Sequence, residues 1–132
     1  MKKIIIVSSP VMVEDGEVLL NKSGEDNFWK FCGGRIEDYD SNLIESARRE
    51  VKEEMSIDIE IINPEPFLLH TVKTKPGGQM DVILVHYLAD RIGEIKPGAD
   101  IREWRWIKIE DLPKENLAPN ILPTLKHFGF IK

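Results

Sequence analysis

Glu50 and Glu54 are the residues of this chain whose type and spacing best suit chemistry. They close the segment Gly33 to Ile57, which opens with a glycine pair and an acidic loop and runs into Arg49-Glu50-Val51-Lys52-Glu53-Glu54. Leu43, Ile44, Ala47, Val51 and Met55 recur at spacings of one, three and four, which predicts an amphipathic helix. On a wheel of ~100° per residue with Leu43 at zero, those five span roughly 120°, Glu50 falls at about −20° and Glu54 at about +20°. Glu53 lies at about −80°, one step further round. Glu50 and Glu54 are therefore an i,i+4 pair one turn (~6 Å) apart, pointing where the core should be.

A carboxylate pair on the buried edge of a helix is costly. The like charges repel, and desolvation adds several kcal/mol per ion unless something compensates. A divalent cation relieves both costs, and carboxylate, water and phosphate oxygens are the ligands Mg²⁺ prefers. The bland alternative, a solvated acidic face on a charged helix, fits the wheel position and the preceding glycine loop less well.

These residues resemble the signature of the Nudix hydrolases, the MutT-like phosphohydrolases. That box reads G, five residues, E, seven residues, R-E-U-x-E-E-x-G-U, with U aliphatic. Arg49, Glu50, Val51, Glu53, Glu54 and Ile57 match its second half without gaps, and Gly33-Gly34-Arg35-Ile36-Glu37 matches its opening. Two departures stand out. Between Gly34 and Arg49 there is one residue more than the pattern allows, so that Asp40 stands for the loop Glu. Ser56 replaces the final Gly, which normally ends the helix at positive φ, and so predicts a helix end without left-handed geometry.

The resemblance implies an α/β Nudix fold, a mixed β-sheet sandwiched between α-helices, over a single domain of residues 1–132. It implies Mg²⁺ as cofactor, with Mn²⁺ as the alternative. The metal ligands would be Glu50 and Glu54, with Glu53 bound directly or through water, Asp40 from the loop, and a backbone carbonyl at Gly33 or Gly34. Arg49 would orient the acids, since it lies four residues from both Glu45 and Glu53. The general base is left open among Glu103, which stands three residues before Trp106, Asp40 and Glu53. Asn120, in Leu117-Ala118-Pro119-Asn120-Ile121, resembles the purine-contacting Asn of MutT-like triphosphatases, and helix capping is its structural alternative. Phe31 and Arg35 are further candidates for substrate binding. Phe28, Trp29, Trp104 and Trp106 could stack on a base or simply pack.

Three functions are compatible with these residues. The first is a metal-dependent pyrophosphohydrolase converting a (deoxy)nucleoside triphosphate to monophosphate and pyrophosphate. The second is the same chemistry on ADP-ribose, a nucleotide sugar or a dinucleotide polyphosphate. The third is a Nudix-like nucleotide-binding module whose altered loop has cost it turnover.

Composition agrees with this and narrows the partners. The chain has 132 residues, 42% of them hydrophobic, enough for one compact core. Its formal charge is −5, and residues 37–60 alone carry nine acidic and three basic side chains, so the acidity is local to the proposed metal site. No basic stripe suits duplex nucleic acid. A small nucleotide carried with its metal fits better, on a protein that is a monomer or homodimer. The single cysteine, Cys32, excludes an internal disulfide, is consistent with a cytoplasmic location, and reads as a small apolar residue. Met1-Lys2-Lys3 and the short apolar run Ile4–Val7 read as a strand start rather than a signal sequence. No stretch approaches the ~20 apolar residues of a membrane span.

The elements that must position the site follow from local pattern. Strands are expected at 3–13, 18–21, 57–62, 67–74, 80–88 and 102–109, with turns at Glu14-Asp15-Gly16-Glu17 and Lys75-Pro76-Gly77-Gly78. The helix should start near Ser41 or Asn42, where Glu45 three residues after Asn42 resembles a capping box. A short helix is expected over 119–128. His70, His86 and His127 show no metal-ligand spacing and read as structural or surface residues.

Overall fold

The computed structural model describes residues 3–132; Met1 and Lys2, the start of the N-terminal segment discussed above, lie outside the described residues. In chain order the elements are β1 (Lys3–Val11), β2 (Val13–Glu14), β3 (Glu17–Ser23), β4 (Gly34–Arg35), α1 (Leu43–Met55), β5 (Asp58–Ile61), β6 (Phe67–Lys75), β7 (Gly78–Ile92) and β8 (Ile101–Lys108). A 3₁₀ turn (Ile109–Lys114) and α2 (Ile121–His127) complete the chain.

The larger sheet has five strands in the order β4-β1-β7-β5, with β6 also on β7. Strand β7 is 15 residues long, and one of its edges serves two partners in turn. Its first part pairs with β6 through the Lys75↔Gly78 hairpin, and its last part pairs with β5. β1 runs parallel to β7 and antiparallel to β4, which brings Gly34 beside Ser8. The hairpin at Pro76-Gly77 needs a residue at φ 98°, which glycine adopts without strain.

The second sheet, β2-β3-β8, lies between the two α-helices, and period-2 alternation shows why. On β3, Leu19 belongs to the core that holds Ala47, Val51 and Met55 of α1, while Val18 and Leu20 belong to the core that holds Ile121 and Leu125 of α2. On β8, Trp104 and Trp106 pack towards the α1 core and Ile107 towards the α2 core. This sheet is antiparallel throughout, while the larger one is mixed, parallel only between β1 and β7, so the chain has the mixed α/β sandwich the sequence predicted. Each fully buried Val, Leu or Met on these faces stabilises by roughly 1.5–3 kcal/mol.

Helix α1 is defined at both ends. The Asn42 side chain accepts the Glu45 N–H at 2.9 Å, the cap expected from the sequence. Its other end corrects an expectation. Ser56 does adopt the left-handed conformation, at φ 62° and ψ 26°, and its N–H closes on the Lys52 carbonyl. A non-glycine residue pays a conformational penalty there. The Ser56 hydroxyl offsets part of it by donating to the Lys96 carbonyl at 2.9 Å. Replacing Gly by Ser therefore leaves the geometry of the helix end intact.

Candidate active site

The site is assembled where α1 passes behind the turn that joins β3 to β4. Gly33 has φ 134°, and a Cβ there would overlap Ser9 and the Ser8 carbonyl. A Cβ on Gly34 would sit 2.5 Å from the Glu50 carboxylate. Only a glycine pair lets the β1–β4 backbone close down on the helix so tightly. In return, the Gly33 N–H donates to Glu54 Oε1 at 2.8 Å.

The two acids facing that backbone are electrostatically strained. Burial pushes the Glu54 carboxyl up to about 7, opposed by the Gly33 N–H and reinforced by the Glu50 charge. Burial also raises Glu50, with the adjacent Arg49 guanidinium pulling the other way; Arg49 Nη2 lies 3.0 Å from Glu50 Oε1. Half-desolvated carboxylates one helical turn apart favour a cation between them.

Arg49 organises the other acids. Its Nε and Nη2 donate to Asp40 Oδ1 and Oδ2 at 2.8 and 3.1 Å, its Nη1 reaches both Glu53 oxygens at 3.2–3.3 Å, and Nη2 also donates to the Arg35 carbonyl at 3.1 Å. Asp40 Oδ2 further accepts the Glu37 N–H at 2.8 Å. The bidentate Arg49 contact holds the Asp40 carboxyl down at about 2. The sequence puts the Asp40, Glu50, Glu53 and Glu54 carboxylates in one metal shell with a glycine-turn carbonyl. The structure divides the acids: Glu50 and Glu54 face the glycine turn, whereas Asp40 and Glu53 are held by Arg49, which also touches Glu50. Among the described residues no group of three or more His, Cys, Asp or Glu side chains converges as a ready-made metal cage. Two carboxylates are nevertheless a sufficient protein contribution for Mg²⁺, which keeps water and substrate phosphate oxygens as its other ligands.

The glycine turn is also one wall of a cavity of about 650 Å³. Its polar lining includes Lys30, Arg35, Lys73 and Asn120 together with Asp26 and His70; Phe28 and Phe31 are its aromatic groups, and Val7, Leu69, Val82 and Leu84 form an apolar floor from β1, β6 and β7. The sequence-predicted Asn120, Phe31, Arg35 and Gly34 thus meet in one place. Asn120 precedes α2 but makes no capping bond with its side chain; its Nδ2 lies 2.9 Å from His86 Nε2 instead.

Other candidates fall elsewhere. Glu103 does not reach the cavity. Strand alternation puts it on the face of β8 opposite Trp104 and Trp106, where it pairs with Lys22 at 3.6 Å and Arg105 at 3.3 Å. Trp29 is 2% exposed and its indole N–H donates to Glu115 at 3.2 Å, so it packs rather than stacks on a ligand. Cys32 is fully buried, and burial pushes its thiol up to about 12, which leaves no thiolate for nucleophilic work.

Lys30, Lys73 and His86 were not singled out as site residues by the sequence. Lys30 lies close enough to Glu54 for its charge to lower that carboxyl, and it pairs with Asp26 at 3.2 Å. Its nearness to the glycine pair was a usable signal. Lys73 enters only through the pairing of β6 with β7, which no local pattern discloses.

A helix carrying two acids, a glycine turn closed on it and an adjoining cavity with three cationic side chains thus lie side by side. A NUDIX domain model matches residues 2–128, nearly the whole chain. The chain belongs to the Nudix family and is a Nudix hydrolase. Similar solved structures include a MutT protein from Methanosarcina mazei Go1, at 23% identity and a TM-score of 0.76, covering 96% of this chain and 94% of that one. A mutator MutT protein from Bacillus halodurans matches at 23% identity and a TM-score of 0.75, covering 97% and 83%. An ADP-ribose pyrophosphatase from Streptococcus suis matches at 21% identity and a TM-score of 0.67, covering 92% and 87%. At these identities the likeness speaks for the fold alone. No curated protein matches the sequence. No helix among the described residues is long and apolar enough to cross a membrane.

Proposed function

We propose that this Nudix hydrolase converts a (deoxy)nucleoside triphosphate to the monophosphate and pyrophosphate, using Mg²⁺ held by Glu50 and Glu54. The observation that carries the reading is the strained acid pair set against Gly33-Gly34, because the same glycines wall the cavity that would take the nucleotide. The Gly34 carbonyl is the backbone donor proposed to assist the two carboxylates. When bound, the ion would neutralise phosphate charge and lower the pKa of a coordinated water.

The chain's own groups have distinct tasks in this scheme. Lys30, Arg35 and Lys73 bring positive charge to the cavity and would bind the polyphosphate. Phe28 and Phe31 offer faces for the base, and Asn120 offers a carboxamide to its edge. Arg49 and Asp40 position the acids rather than react. The bidentate Arg49 contact makes the Asp40 carboxyl strongly acidic, so it makes a poor base. With Glu103 on the far face, Glu53 is the carboxylate we assign to accept the proton from the attacking water. Its side chain is 57% exposed and held by Arg49, four residues away.

Phosphate and pyrophosphate release would be measured over nucleoside triphosphates, ADP-ribose, nucleotide sugars and dinucleotide polyphosphates, with and without Mg²⁺, alongside Glu54→Gln. Metal-dependent pyrophosphate release, lost in the variant, is the expected result. Turnover of ADP-ribose or nucleotide sugars alone would move the substrate to the second class. Nucleotide binding without any turnover would make the protein a binding module. Against that last outcome stands the intact left-handed end of α1 at Ser56.

A further inference from the structure

The hydrogen bonds behind the cavity fix something that its lining residues alone do not. His86 is on β7, in register between Ser9 of β1 and Phe67 of β6, and is completely buried. Its Nδ1 lies 2.9 Å from the Phe67 carbonyl oxygen. A carbonyl can only accept, so Nδ1 carries the proton. Burial lowers the basicity of the ring and keeps it neutral. Phe31 meets the ring edge-on at 5.6 Å and the Phe67 ring lies at 5.9 Å on a tilt, so the imidazole is wedged in place.

The other nitrogen is then a lone pair. Nε2 lies 2.9 Å from the Asn120 carboxamide, and an acceptor there requires the amide to present its NH₂. Asn120 Oδ1 accepts no hydrogen bond from the described residues, and Asn120 lines the cavity. A carboxamide without such a neighbour can turn over and offer a donor or an acceptor at the same point. This one cannot turn over without setting an oxygen lone pair against a nitrogen lone pair.

We propose that His86 is a positioning residue for base selection: it locks the Asn120 carboxamide with Oδ1 available to the cavity, so that the base taken there must bring a hydrogen-bond donor. The proposal rests on the nucleotide reading of the cavity and names the chemistry of the base it accepts. A purine with an exocyclic amine satisfies Oδ1. One with ring acceptors only leaves it unpaired and is rejected.

The test compares adenosine triphosphate with purine riboside triphosphate, which has the same ring nitrogens and no amine. Wild type should favour the amine by about tenfold in kcat/KM, chiefly through KM, the size expected for one buried hydrogen bond. His86→Leu should lower that ratio to below about twofold while changing kcat on adenosine triphosphate far less. His86→Gln, whose Oε1 can accept the Asn120 N–H, should restore much of the ratio. A packing role for His86 would weaken both substrates together and leave the ratio alone. Independently of turnover, imidazole ¹⁵N shifts at pH 7 should show Nδ1 protonated and Nε2 bare.

An Nε2–H tautomer or an imidazolium overturns the lock, as does a folded His86→Leu that keeps the ratio, or a wild type that treats the two substrates equally. If wild type hydrolyses no triphosphate at all, the nucleotide reading fails and base selection fails with it, whichever tautomer the ring shows.

Discussion

The acidic edge of α1 and the outer surface of β8 each present a glutamate that the sequence marked for catalysis, and they hold it in opposite ways. Glu54 is largely buried, with a neighbouring acid and one backbone N–H, and its carboxyl is raised to about 7. Glu103 is 41% exposed and paired with two cations, Lys22 and Arg105. Exposed ion pairs of that kind contribute ~0–1 kcal/mol and leave their charges satisfied. The contrast is one of compensation. Charge that the fold leaves under-compensated is what a metal and a phosphate can use, whereas charge that is already neutralised is surface.

The largest expected effect breaks the α1 side of the comparison. Glu54→Gln should reduce kcat/KM by at least ~100-fold under saturating Mg²⁺, on the order of what loss of a metal-binding group produces. The same variant should become more stable without metal. The folded carboxyl, at about 7, sits above the ordinary 4.5, so the metal-free fold binds a proton that the unfolded chain lacks between those values. That contribution is complete below about pH 4.5 and is lost as pH rises through 7. Urea denaturation in chelator should find Glu54→Gln ahead of wild type by about 2–3 kcal/mol at pH 8 and level with it at pH 4. An equal stability difference at both pH values would count against a buried, strained acid.

Gly34→Ala sharpens the same side without touching a charge. Its new Cβ would lie 2.5 Å from the Glu50 carboxylate and must displace it. A loss of about 10–100-fold in kcat/KM, partly recovered at high metal concentration, is expected for a displaced ligand. Asp40→Ala frees Arg49 to pair more fully with Glu50 and Glu53. About a tenfold fall in kcat, with Asp40→Asn milder, would mark Asp40 as a positioning residue.

The β8 side should be quiet. Glu103→Gln ought to change kcat by less than about twofold across the pH range, as surface substitutions usually do; a lost limb in its pH–rate profile would reinstate it as the base. The smallest effect is at Ser56. Relief of left-handed strain, about 1 kcal/mol, outweighs an exposed hydrogen bond of about 0.5 kcal/mol, so Ser56→Gly should gain roughly 0.5 kcal/mol in thermal unfolding.

The helix, its Asn42 cap, the inward turn of Glu50 and Glu54, and the glycine pair were legible in the sequence because each depends on local periodicity or on backbone freedom that one residue type confers. The longer strands were legible for the same reason, but β4, two residues at the glycine turn, was not. Only the tertiary structure decided which acids face each other and which face Arg49, since Asp40 and Arg49 meet across a loop whose path has no period. It also decided that Glu103 points away from the site, because the face of a strand is defined only once its partner and register are chosen. And it alone turned His86, which the sequence reads as a structural or surface histidine, into the group that faces Asn120, 34 residues further along the chain. Local sequence determines what each segment can be; burial and register, which sum over distant segments, determine which of its groups are left with chemistry to do.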